Sequence, residues 1–438
     1  MDVRLVIFDL DGTLLGDQLE FQELRRKLIE ELRIRELSFR NEGLNLMYES
    51  LWQLSKKSGV PFDELYSIII ELETKRMEEA YSFRGSKEVL EFLRNRGLKL
   101  ALITRSSRRA TEKALEKTGL GRYFELIVTR DDVPLDDLKP NPSQLRRILK
   151  ELDVPPEKTV VIGDHEYDIV QAKKLGCLSV LVTSNGSGQM SFEVEVEPDF
   201  QVQKTSLLQF FSMLLSSYVV VPAYNEEATI GAVLSDLLKY FKRSEIVVVN
   251  DGSSDRTEEI ARSYGVRVLD HLINRGLGGA LGTGIAYSLR KGAEVILTFD
   301  ADGQHRVNDA LRVMKPVVEG SVDFAVGSRL KGDVREMPLI KRFGNFVLDF
   351  ITALFARKYV SDSQSGLRCI SRECASRIRI TCDRYAVSSE LIIEASKAGC
   401  KIVEVPIRAV YTEYSMKKGT NVLEGIKIAL NLMFDKLR

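Results

Sequence analysis

The stretch Phe299-Asp300-Ala301-Asp302-Gly303-Gln304-His305 decides how the second half of this chain is interpreted. Residues 294–299 are a mostly apolar run of strand length, which is typical of a buried strand in a parallel sheet. The stretch therefore brings two carboxylates to the carboxyl edge of an α/β sheet, where ligands usually bind. Because Asp300 and Asp302 are two residues apart in extended chain, they lie on the same side.

Asp300, Asp302 and Gln304 form a set of oxygen donors. Two carboxylates and an amide oxygen suit Mg²⁺ or Mn²⁺ better than zinc. An alternative is a solvated turn, because aspartate and glycine both favour turns. The rest of the chain has to decide between these interpretations.

Length and charge limit the classes of protein that this sequence can belong to. At 438 residues the chain is too long for one ordinary domain, so we expect two. Acidic and basic residues balance at 63 each without a block of like charge, which argues against a nucleic-acid-binding surface. No apolar run reaches the roughly 18 residues that cross a bilayer, and because an apolar strand is predicted from residue 3, we expect no signal peptide.

The cysteine pattern predicts a reducing compartment. The chain has five cysteines and no pair in the C-x-x-C spacing of zinc and redox sites. We therefore expect free, mostly buried thiols, no zinc site and a cytoplasmic protein. The cysteines are Cys177, Cys369, Cys374, Cys382 and Cys400.

Polar residues follow several short apolar runs in the first half of the chain. The runs that predict strands are residues 3–8, 98–103, 124–128, 159–163 and 178–182. Parallel strands end at a common sheet edge, so the polar residues that follow them are expected to meet there, together with a lysine before a proline-marked helix start. This set is Asp9, Asp11, Thr104, Lys139, Asp164 and Asp168.

The predicted set has the chemistry of phosphoryl transfer. One carboxylate can attack phosphorus and form an aspartyl-phosphate. A second acid can protonate the leaving group and later activate water. A hydroxyl and an ammonium group can hold the phosphate oxygens, while further carboxylates bind Mg²⁺.

These residues make the first half resemble the haloacid dehalogenase superfamily of phosphatases. Asp-x-Asp-Gly-Thr, Thr104, Lys139 and Gly163-Asp164-x-x-x-Asp168 match its four motifs in order. The resemblance implies Asp9 as nucleophile, Asp11 as acid and base, and Thr104 with Lys139 on the phosphate. It also implies a Mg²⁺ site formed by Asp9, Asp11, Asp164 and Asp168. A scaffold that has lost its activity remains the alternative.

The second half resembles family 2 glycosyltransferases of the GT-A fold, in particular the dolichyl-phosphate mannose and glucose synthases. The matching segments are Pro-Ala-Tyr-Asn-Glu from Pro222, Asn-Asp-Gly-Ser-Ser-Asp from Asn250, Arg-Gly-Leu-Gly-Gly-Ala from Arg275, Asp-Ala-Asp-Gly-Gln-His from Asp300, Gly-Ser-Arg from Gly327 and Gln-Ser-Gly-Leu-Arg from Gln364. They extend over most of residues 218–411.

The transferase resemblance implies a role for each matching residue. Asp300 and Asp302, with Gln304, are implied at the metal and the diphosphate. Arg329 and Arg342 are implied at the phosphate groups, which suits guanidinium forks. Glu390 stands where many members carry a catalytic base, but a phosphate acceptor is already ionised, so we expect it to orient the sugar. The residues implied to bind the nucleotide base and ribose are Pro222, Tyr224, Glu226 and Asp251.

The sequence therefore predicts an α/β protein of two domains. A haloacid dehalogenase-like Rossmannoid domain is predicted over residues 1–200, with a helical cap at about residues 16–84. A linker is predicted over residues 201–217 and a GT-A nucleotide-sugar-binding domain over residues 218–438.

The predicted function is that of a bifunctional enzyme. One half is predicted to be a Mg²⁺-dependent phosphatase, and the other to transfer a hexose from a nucleotide sugar of the GDP-mannose or UDP-glucose type to polyprenyl or dolichyl phosphate, with Mg²⁺ or Mn²⁺. One alternative is a soluble phosphorylated acceptor that the phosphatase later dephosphorylates. Another is a phosphatase-like domain that serves only for docking.

Two amphipathic segments predict attachment to a membrane surface. Residues 339–360 and 422–437 both repeat apolar side chains at intervals of three and four, which is one face of a helix. Basic residues near the ends of the first segment can reach lipid head groups. We therefore expect a cytoplasmic protein that is peripheral on the membrane. Packing of both segments on the transferase core or on a second subunit is the alternative.

Overall fold

The computed structural model describes residues 1–16, 26, 30, 46–184, 196–332, 339–382 and 386–408, and only the backbone of 46–50, 53, 135 and 339–345. The chain divides into two compact units. The N-terminal unit is Val3–Leu208, and the C-terminal unit is Gln209–Arg438 together with Met1–Asp2. Both are α/β, as predicted.

The N-terminal unit contains a parallel sheet of six strands in the order β5-β4-β1-β6-β7-β8. Every neighbouring pair runs parallel, so the strands share one carboxyl edge. The five predicted strands are confirmed, and β8 is additional. The strands are β1 (Leu5–Phe8), β4 (Lys99–Ile103), β5 (Leu126–Val128), β6 (Thr159–Gly163), β7 (Leu178–Thr183) and β8 (Phe200–Gln203).

Helices and a small second sheet complete this unit. β2 (Leu15–Gly16) pairs antiparallel with β3 (Tyr81–Ser82), at the two ends of the segment predicted as a cap. Two helices of that segment are described, α1 (Leu46–Ser58) and α2 (Phe62–Met77). The other helices are α3 (Ser86–Asn95), α4 (Arg108–Thr118), α5 (Ser143–Leu152) and α6 (Glu166–Leu175).

The segment predicted as a linker, residues 201–217, has regular structure. It contains the end of β8 and helix α7 (Leu207–Leu215), and it continues into β9 (Ser217–Ala223). Phe200 and Val202 of β8 are buried while Gln201 and Gln203 are exposed, which is the alternation of an edge strand. A strand of four residues gives a weak sequence signal. The serine, glycine and proline residues before it are typical of a loop, so a linker was predicted instead.

The C-terminal unit contains a mixed sheet of seven strands in the order β11-β10-β9-β12-β14-β13-β15. β14 is antiparallel to both of its neighbours, and all other pairs are parallel. The predicted strands β9 to β12 are confirmed, while β13 to β15 were not predicted. The remaining bounds are β10 (Ile246–Asn250), β11 (Arg267–Asp270), β12 (Val295–Thr298), β13 (Phe324–Ser328), β14 (Arg368–Ser371) and β15 (Ile402–Pro406).

Seven helices are described in this unit after α7. They are α8 (Ile230–Leu237), α9 (Thr257–Ser263), α10 (Gly276–Arg290), α11 (Val307–Val318), α12 (Leu339–Ala356), α13 (Arg372–Arg377) and α14 (Val387–Lys397). Helix α12 confirms the helix predicted from residue 339, and the second predicted amphipathic run, residues 422–437, lies outside the described residues. Among the helices that the structure describes, none combines the length and hydropathy that crossing a bilayer requires.

The expectation of free thiols is wrong for two of the five cysteines. Cys374 and Cys400 form a disulfide, with a Cα–Cα distance of 6.0 Å. Cys177, Cys369 and Cys382 are free. The paired cysteines are 26 residues apart in sequence, and the fold alone brings α13 next to the loop before β15. Cysteine spacing therefore contained no signal for this pair.

Candidate active sites

At the carboxyl edge of the first sheet, two carboxylates of the predicted phosphatase set contact the ammonium group of a third member, Lys139. Lys139 Nζ donates to Asp9 Oδ1 and to Asp168 Oδ1, both at 2.6 Å, and to the carbonyl of Ile103 at 3.0 Å. Lys139 is 4 % exposed, so it is almost fully desolvated. Its three protons are satisfied, and it fixes the two carboxylates on either side of it.

Asp9, Asp164 and Asp168 form a possible metal site. One oxygen from each carboxylate lies within 4.8 Å of the others. Thr13 Oγ1 donates to Asp164 at 3.3 Å, which orients that carboxylate. A set of hard oxygen donors at this spacing fits Mg²⁺, as predicted from the sequence.

The carboxylate of Asp11 lies outside that cluster, although Asp11 was also predicted as a metal ligand. Its Oδ2 accepts hydrogen bonds from Ser106 Oγ at 2.8 Å and from Thr104 Oγ1 at 3.5 Å, and Arg76 Nη2 lies 3.6 Å from its Oδ1. These partners are all hydrogen-bond donors. In this structure the side chain of Asp11 is held by these donors, and its roles as acid and base and as metal ligand stay predictions.

Burial dominates the electrostatics of the cluster. It raises the pKa of Asp9 well above the usual range, although Lys139 opposes the shift. Burial, reinforced by Asp168, raises the pKa of Asp164 to about 6. The pKa of Lys139 is also raised, because the carboxylates of Asp168 and Asp9 outweigh its desolvation. Lys139 therefore keeps its charge between Asp9 and Asp168.

Two glycines give the carboxylates room. A Cβ at Gly12, whose φ is +78°, would lie 1.9 Å from Asp164 Oδ2. A Cβ at Gly163 would lie 2.1 Å from Asp168 Oδ2. Both carboxylates therefore occupy space that any other residue would fill.

In the C-terminal unit, Asp300, Asp302 and Gln304 follow β12 directly. Asp302 Oδ1 accepts from the backbone N–H of Gln304 at 3.0 Å, and its Oδ2 accepts from Gln304 Nε2 at 2.6 Å. His305 Nε2 donates to Asp300 Oδ2 at 3.1 Å. This hydrogen bond and nearby arginines outweigh the effect of burial, so the pKa of Asp300 lies below its usual range. Burial and Asp300 together raise the pKa of Asp302.

The Gln-Ser-Gly-Leu-Arg segment packs directly behind Asp300. Thr298 Oγ1 donates to the carbonyl of Gly366 at 2.6 Å, which holds the two segments together. A Cβ at Gly366 would lie 1.9 Å from Asp300 Oδ2. Arg368 is fully buried, and its Nε and Nη1 have no hydrogen-bond partner. Burial lowers the pKa of Arg368 to about 10, against the attraction of Asp300 and Asp362.

Arg329, predicted to bind phosphate, forms a two-pronged ion pair. Its Nε and Nη2 donate to Asp362 Oδ2 and Oδ1 at 2.8 and 2.7 Å, and its backbone N–H donates to Oδ2 at 2.9 Å. The side chain of Asp362 is fully buried. Asp362 thus fixes the orientation of the guanidinium. Arg342 lies in the first turn of α12, and its side chain lies outside the described residues.

The residues predicted to bind the nucleotide lie where β9 and β10 end. Pro222 belongs to β9, and Tyr224 beyond it is 47 % exposed. The backbone N–H of Glu226 donates to Thr257 Oγ1 at 2.7 Å. Thr229 Oγ1 donates to the Glu226 carboxylate at 2.9 Å. The loop after β9 is thereby tied to the start of α9.

The carboxylate of Asp251 links the end of β10 to the start of α10 through hydrogen bonds. Its Oδ1 and Oδ2 accept from the backbone N–H groups of Arg275 and Gly276 at 2.9 and 2.7 Å. His271 Nδ1 also donates to Oδ1, at 2.6 Å, while Thr283 donates to His271 Nε2 at 2.9 Å. Asp251 is 3 % exposed. It holds the start of α10 next to the end of β10.

Glu390, predicted to orient the sugar, also has backbone partners. Its carboxylate accepts from the N–H of Thr381 at 3.1 Å and of Cys382 at 3.0 Å, and from the Thr381 hydroxyl. The side chain is buried. Glu390 therefore anchors residues 381–382 to α14. The Ser-Ser-Glu sequence indicated neither the direction of the side chain nor this task.

Helix α12 has apolar side chains on its exposed face and polar side chains on the face that packs against the unit. Phe346, Phe350 and Leu354, four residues apart, are 56, 63 and 62 % exposed. On the inner side, Asp349 and Thr352 are buried. Asp349 Oδ1 accepts from the N–H of Ser363 at 2.7 Å, whereas its Oδ2 has no hydrogen-bond partner. Burial raises the pKa of Asp349 to about 7.

Asp349→Asn is expected to stabilise the protein at alkaline pH. The folded chain holds the Asp349 proton up to about pH 7, whereas an unfolded chain releases it near pH 4. Stability therefore falls as pH rises through this window, and the loss is complete above it. At about 1.4 kcal/mol for each pH unit, the ionised form costs on the order of 4 kcal/mol at pH 8.

Calorimetry at pH 5 and pH 8 measures this effect. The asparagine variant should raise the unfolding midpoint by about 5 °C or more at pH 8 and by roughly a third as much at pH 5, where one of the three pH units of the window has been crossed. Asp236→Asn, at a side chain that is 58 % exposed, is the control and should change neither. Equal effects of Asp349→Asn at both pH values would contradict the prediction.

Several residues at these sites were missed from the sequence. Ser106 lies two residues after Thr104, so its proximity to the site had a local signal. Arg76 belongs to the cap segment, and Asp362 and Asp349 lie 33 and 20 residues beyond Arg329. Only the tertiary fold brings these three to their partners.

Comparisons with known proteins agree with the predicted family of each half of the chain. A family model for haloacid dehalogenase-like hydrolases matches residues 6–182, and one for glycosyl transferase family 2 matches residues 218–378. The chain is 39 % identical over 241 residues to the UDP-N-acetylglucosamine–dolichyl-phosphate N-acetylglucosaminyltransferase of Methanococcus voltae, which covers 50 % of this chain and 96 % of that protein.

Two further similarities each extend over about half of the chain. An uncharacterised protein of Methanocaldococcus jannaschii is 53 % identical over 224 residues, which are 50 % of this chain and 92 % of that protein. The crystal structure of a haloacid dehalogenase phosphatase from Thermococcus onnurineus is 24 % identical, with a TM-score of 0.32, and covers 48 % of this chain and 98 % of that one.

The chain belongs to the family 2 glycosyltransferases and carries, ahead of that domain, a haloacid dehalogenase-like hydrolase domain. Within family 2, its relatives include dolichyl-phosphate glycosyltransferases. The resemblance predicted from the sequence motifs is thereby confirmed for both halves.

Proposed function

We propose that the N-terminal unit is a Mg²⁺-dependent phosphomonoesterase that works through an aspartyl-phosphate. The observation that carries this proposal is the double contact of Lys139 with Asp9 and Asp168, both at 2.6 Å. It places a fixed cation beside the nucleophile, where phosphate oxygens have to bind. The complete motif set around it argues against a scaffold without activity.

The residues can carry out the reaction in two balanced steps. An oxygen of Asp9 forms a bond to phosphorus while the ester oxygen leaves with the bonding electrons and takes a proton from Asp11. Asp11 then removes a proton from water, whose oxygen attacks phosphorus and releases phosphate from Asp9. Thr104 and Lys139 hold the phosphoryl oxygens during both steps.

Mg²⁺ held by Asp9, Asp164 and Asp168 would neutralise the charge of the phosphoryl oxygens. The contact of Asp168 with Lys139 limits its rotation, and Gly163 leaves it the space that it occupies.

For the C-terminal unit we infer transfer of a hexose from a nucleotide sugar to polyprenyl or dolichyl phosphate. An acceptor phosphate oxygen attacks the anomeric carbon, the bond to the nucleotide diphosphate breaks, and the configuration inverts. Asp302 and Gln304 would hold Mg²⁺ or Mn²⁺ at the diphosphate, with Asp300 behind them. Arg329 and Arg342 are proposed to bind the phosphate groups.

A screen of the full chain tests both proposals. Donors are GDP-mannose, UDP-glucose and, because of the Methanococcus voltae relative, UDP-N-acetylglucosamine. Acceptors are dolichyl phosphate in vesicles and a set of soluble sugar phosphates, and p-nitrophenyl phosphate reports the phosphatase. If the enzyme transfers sugar to soluble sugar phosphates but not to dolichyl phosphate, the proposed lipid acceptor is wrong and a soluble acceptor takes its place. Transfer without hydrolysis of any phosphomonoester would leave the N-terminal unit a docking module.

Peripheral attachment to a membrane is part of this proposal. The exposed apolar stripe of α12 is not buried against any described part of its unit, and exposed stripes of this kind bind lipid or protein. A polyprenyl chain lies in the bilayer, so the enzyme has to reach its phosphate at the interface. The two observations together favour lipid.

The double variant Phe346→Glu with Phe350→Glu is expected to release the protein from liposomes. Each phenylalanine buried in lipid contributes roughly 1.5–3 kcal/mol, so binding should fall by about two orders of magnitude or more. Flotation with and without anionic lipid measures the loss, and transfer to a long-chain acceptor should fall with it.

A matched pair of exposed apolar residues serves as the control for this variant. Leu272 and Ile273, in the loop after β11, are 101 and 73 % exposed. Leu272→Glu with Ile273→Glu should keep the protein on liposomes. If both pairs reduce flotation equally, α12 is not the specific membrane contact.

A further inference from the structure

Gln364 is the first residue of the Gln-Ser-Gly-Leu-Arg segment, which leads into β14. Arg368, where β14 begins, pairs with Thr298 at the end of β12, so the segment lies at the carboxyl edge of the sheet. A Cβ at Gly366 would lie 1.9 Å from Asp300 Oδ2, so the segment contacts that carboxylate. Two residues of chain span at most about 7 Å, and Gln364 is therefore a near neighbour of Asp300.

The side-chain amide of Gln364 is oriented by two serine hydroxyls. Its Nε2 donates to Ser363 Oγ at 2.9 Å and to Ser389 Oγ at 3.1 Å. Both serines are buried, and Ser389 Oγ also lies 2.8 Å from Thr352 Oγ1 of α12. A primary amide has two N–H groups, so both are used here, and the amide cannot turn without losing them.

The carbonyl oxygen of the same amide remains available. Gln364 is partly exposed, whereas Ser363 and Ser365 on either side of it are fully buried. Within the part of the chain that the structure describes, no group donates to Gln364 Oε1, and this oxygen reaches the surface. A carbonyl oxygen only accepts hydrogen bonds, so it suits a neutral O–H or N–H group and does not suit a phosphate.

The order of the strands indicates which part of a nucleotide sugar lies near Gln364. In the sheet, β12 lies between β9 and β14. Under the proposed transferase function, the nucleoside binds where β9 and β10 end, and the diphosphate binds at Asp300 and Asp302 after β12. The hexose is attached to the far end of the diphosphate, so it lies on the β14 side. Gln364 and Ser389 belong to that side.

We propose that Gln364 Oε1 accepts a hydrogen bond from one hydroxyl group of the donor hexose and thereby selects among nucleotide sugars. The inference rests on the proposed transferase function. Because Ser363 and Ser389 fix the amide, its oxygen can meet a hydroxyl group in only one orientation on the ring. Gln364 therefore distinguishes hexoses that differ at that carbon.

Monodeoxy donors test the inference on the full chain. UDP-glucose, GDP-mannose and UDP-N-acetylglucosamine are assayed with dolichyl phosphate in vesicles and with soluble sugar phosphates. The best donor is then compared with its monodeoxy forms, each of which lacks one hydroxyl group. For the parent protein, kcat/KM should fall about tenfold or more for one of these forms in particular, because the acceptor oxygen is left unpaired.

Gln364→Met keeps the length of the side chain but has no acceptor oxygen. It should lower kcat/KM of the intact donor by a similar factor and reduce its advantage over that monodeoxy form to about twofold or less. Gln364→Glu keeps an acceptor oxygen and should keep the preference for the hydroxyl group. Ser389→Ala removes one anchor of the amide and should weaken the same preference, which gives a second test without a change at Gln364.

The controls separate specificity from general damage. Gln209→Met, at an exposed glutamine of α7, should change no rate. If Gln364→Met lowers kcat/KM of every donor by the same factor, Gln364 only holds Ser363 and Ser389 in place and the inference is wrong. It is also wrong if Gln364→Met changes no rate, or if no single hydroxyl group matters to the parent protein. Absence of transfer from all three donors by the parent protein would instead overturn the transferase function, and the inference with it.

Discussion

Asp9→Asn is expected to lower phosphatase activity at least 10³-fold while glycosyl transfer stays within about twofold. A carboxamide has almost the shape of the carboxylate, but it cannot form the acyl phosphate on which the reaction depends. The substitution also removes one of the two carboxylates that Lys139 contacts. Hydrolysis of p-nitrophenyl phosphate and transfer to dolichyl phosphate, measured on one preparation, give both numbers.

Asp136→Asn is the matched control, because this acid is exposed and lies outside the cluster. It should change neither activity. An equal fall of both activities in Asp9→Asn would contradict the assignment of separate sites to the two units. Retention of phosphatase activity would contradict Asp9 as nucleophile.

Gly366→Ala is expected to reduce glycosyl transfer at least 100-fold and to leave the phosphatase unchanged. The new Cβ would lie 1.9 Å from Asp300 Oδ2, which is far below contact distance. The backbone of Gly366 is held by Thr298, and Asp300 is held by His305, so neither moves without losing a hydrogen bond. Asp300 therefore has to leave the position at which the donor diphosphate is proposed to bind.

Gly282→Ala provides a control for adding a methyl group. Its Cβ would have Ile380 Cγ2, at 4.0 Å, as its nearest neighbour outside the local helix backbone. Initial rates over a range of donor concentrations show whether Gly366→Ala weakens donor binding or turnover. If Gly366→Ala transfers sugar at the parental rate, transfer does not require Asp300 to occupy its present position beside Gly366.

Much of both folds was predictable because their central strands are short apolar runs that end in acids. In a parallel sheet these ends meet at one edge, so the positions of Asp9, Asp164 and Asp300 followed from the strands. β13 and β15 were missed although Gly327 and Ser328 of the Gly-Ser-Arg segment belong to β13, because neither strand ends in an acid. β13 pairs on one side with the antiparallel strand β14 and on the other with β15, and both partners are distant in sequence.

The contacts of individual side chains were less predictable than the positions of the strands. The carboxylates of Glu390 and Asp251, whose substrate roles stay predictions, accept hydrogen bonds from backbone N–H groups that the sequence did not indicate. A linear sequence gives the residue type and its element but not the direction of the side chain. Asp362, which pairs with Arg329, lies just before the Gln-Ser-Gly-Leu-Arg motif but is not part of it, so the sequence analysis did not select it.

The glycines behind the carboxylates enlarge the part of the gene in which mutations are harmful. Gly12, Gly163 and Gly366 each lie against an acid so closely that a Cβ would overlap with its carboxylate. Every change of a glycine codon that alters the residue adds a Cβ. A random substitution at these three codons is therefore expected to be as damaging as one in the codon of the acid, although the glycines themselves take no part in the chemistry.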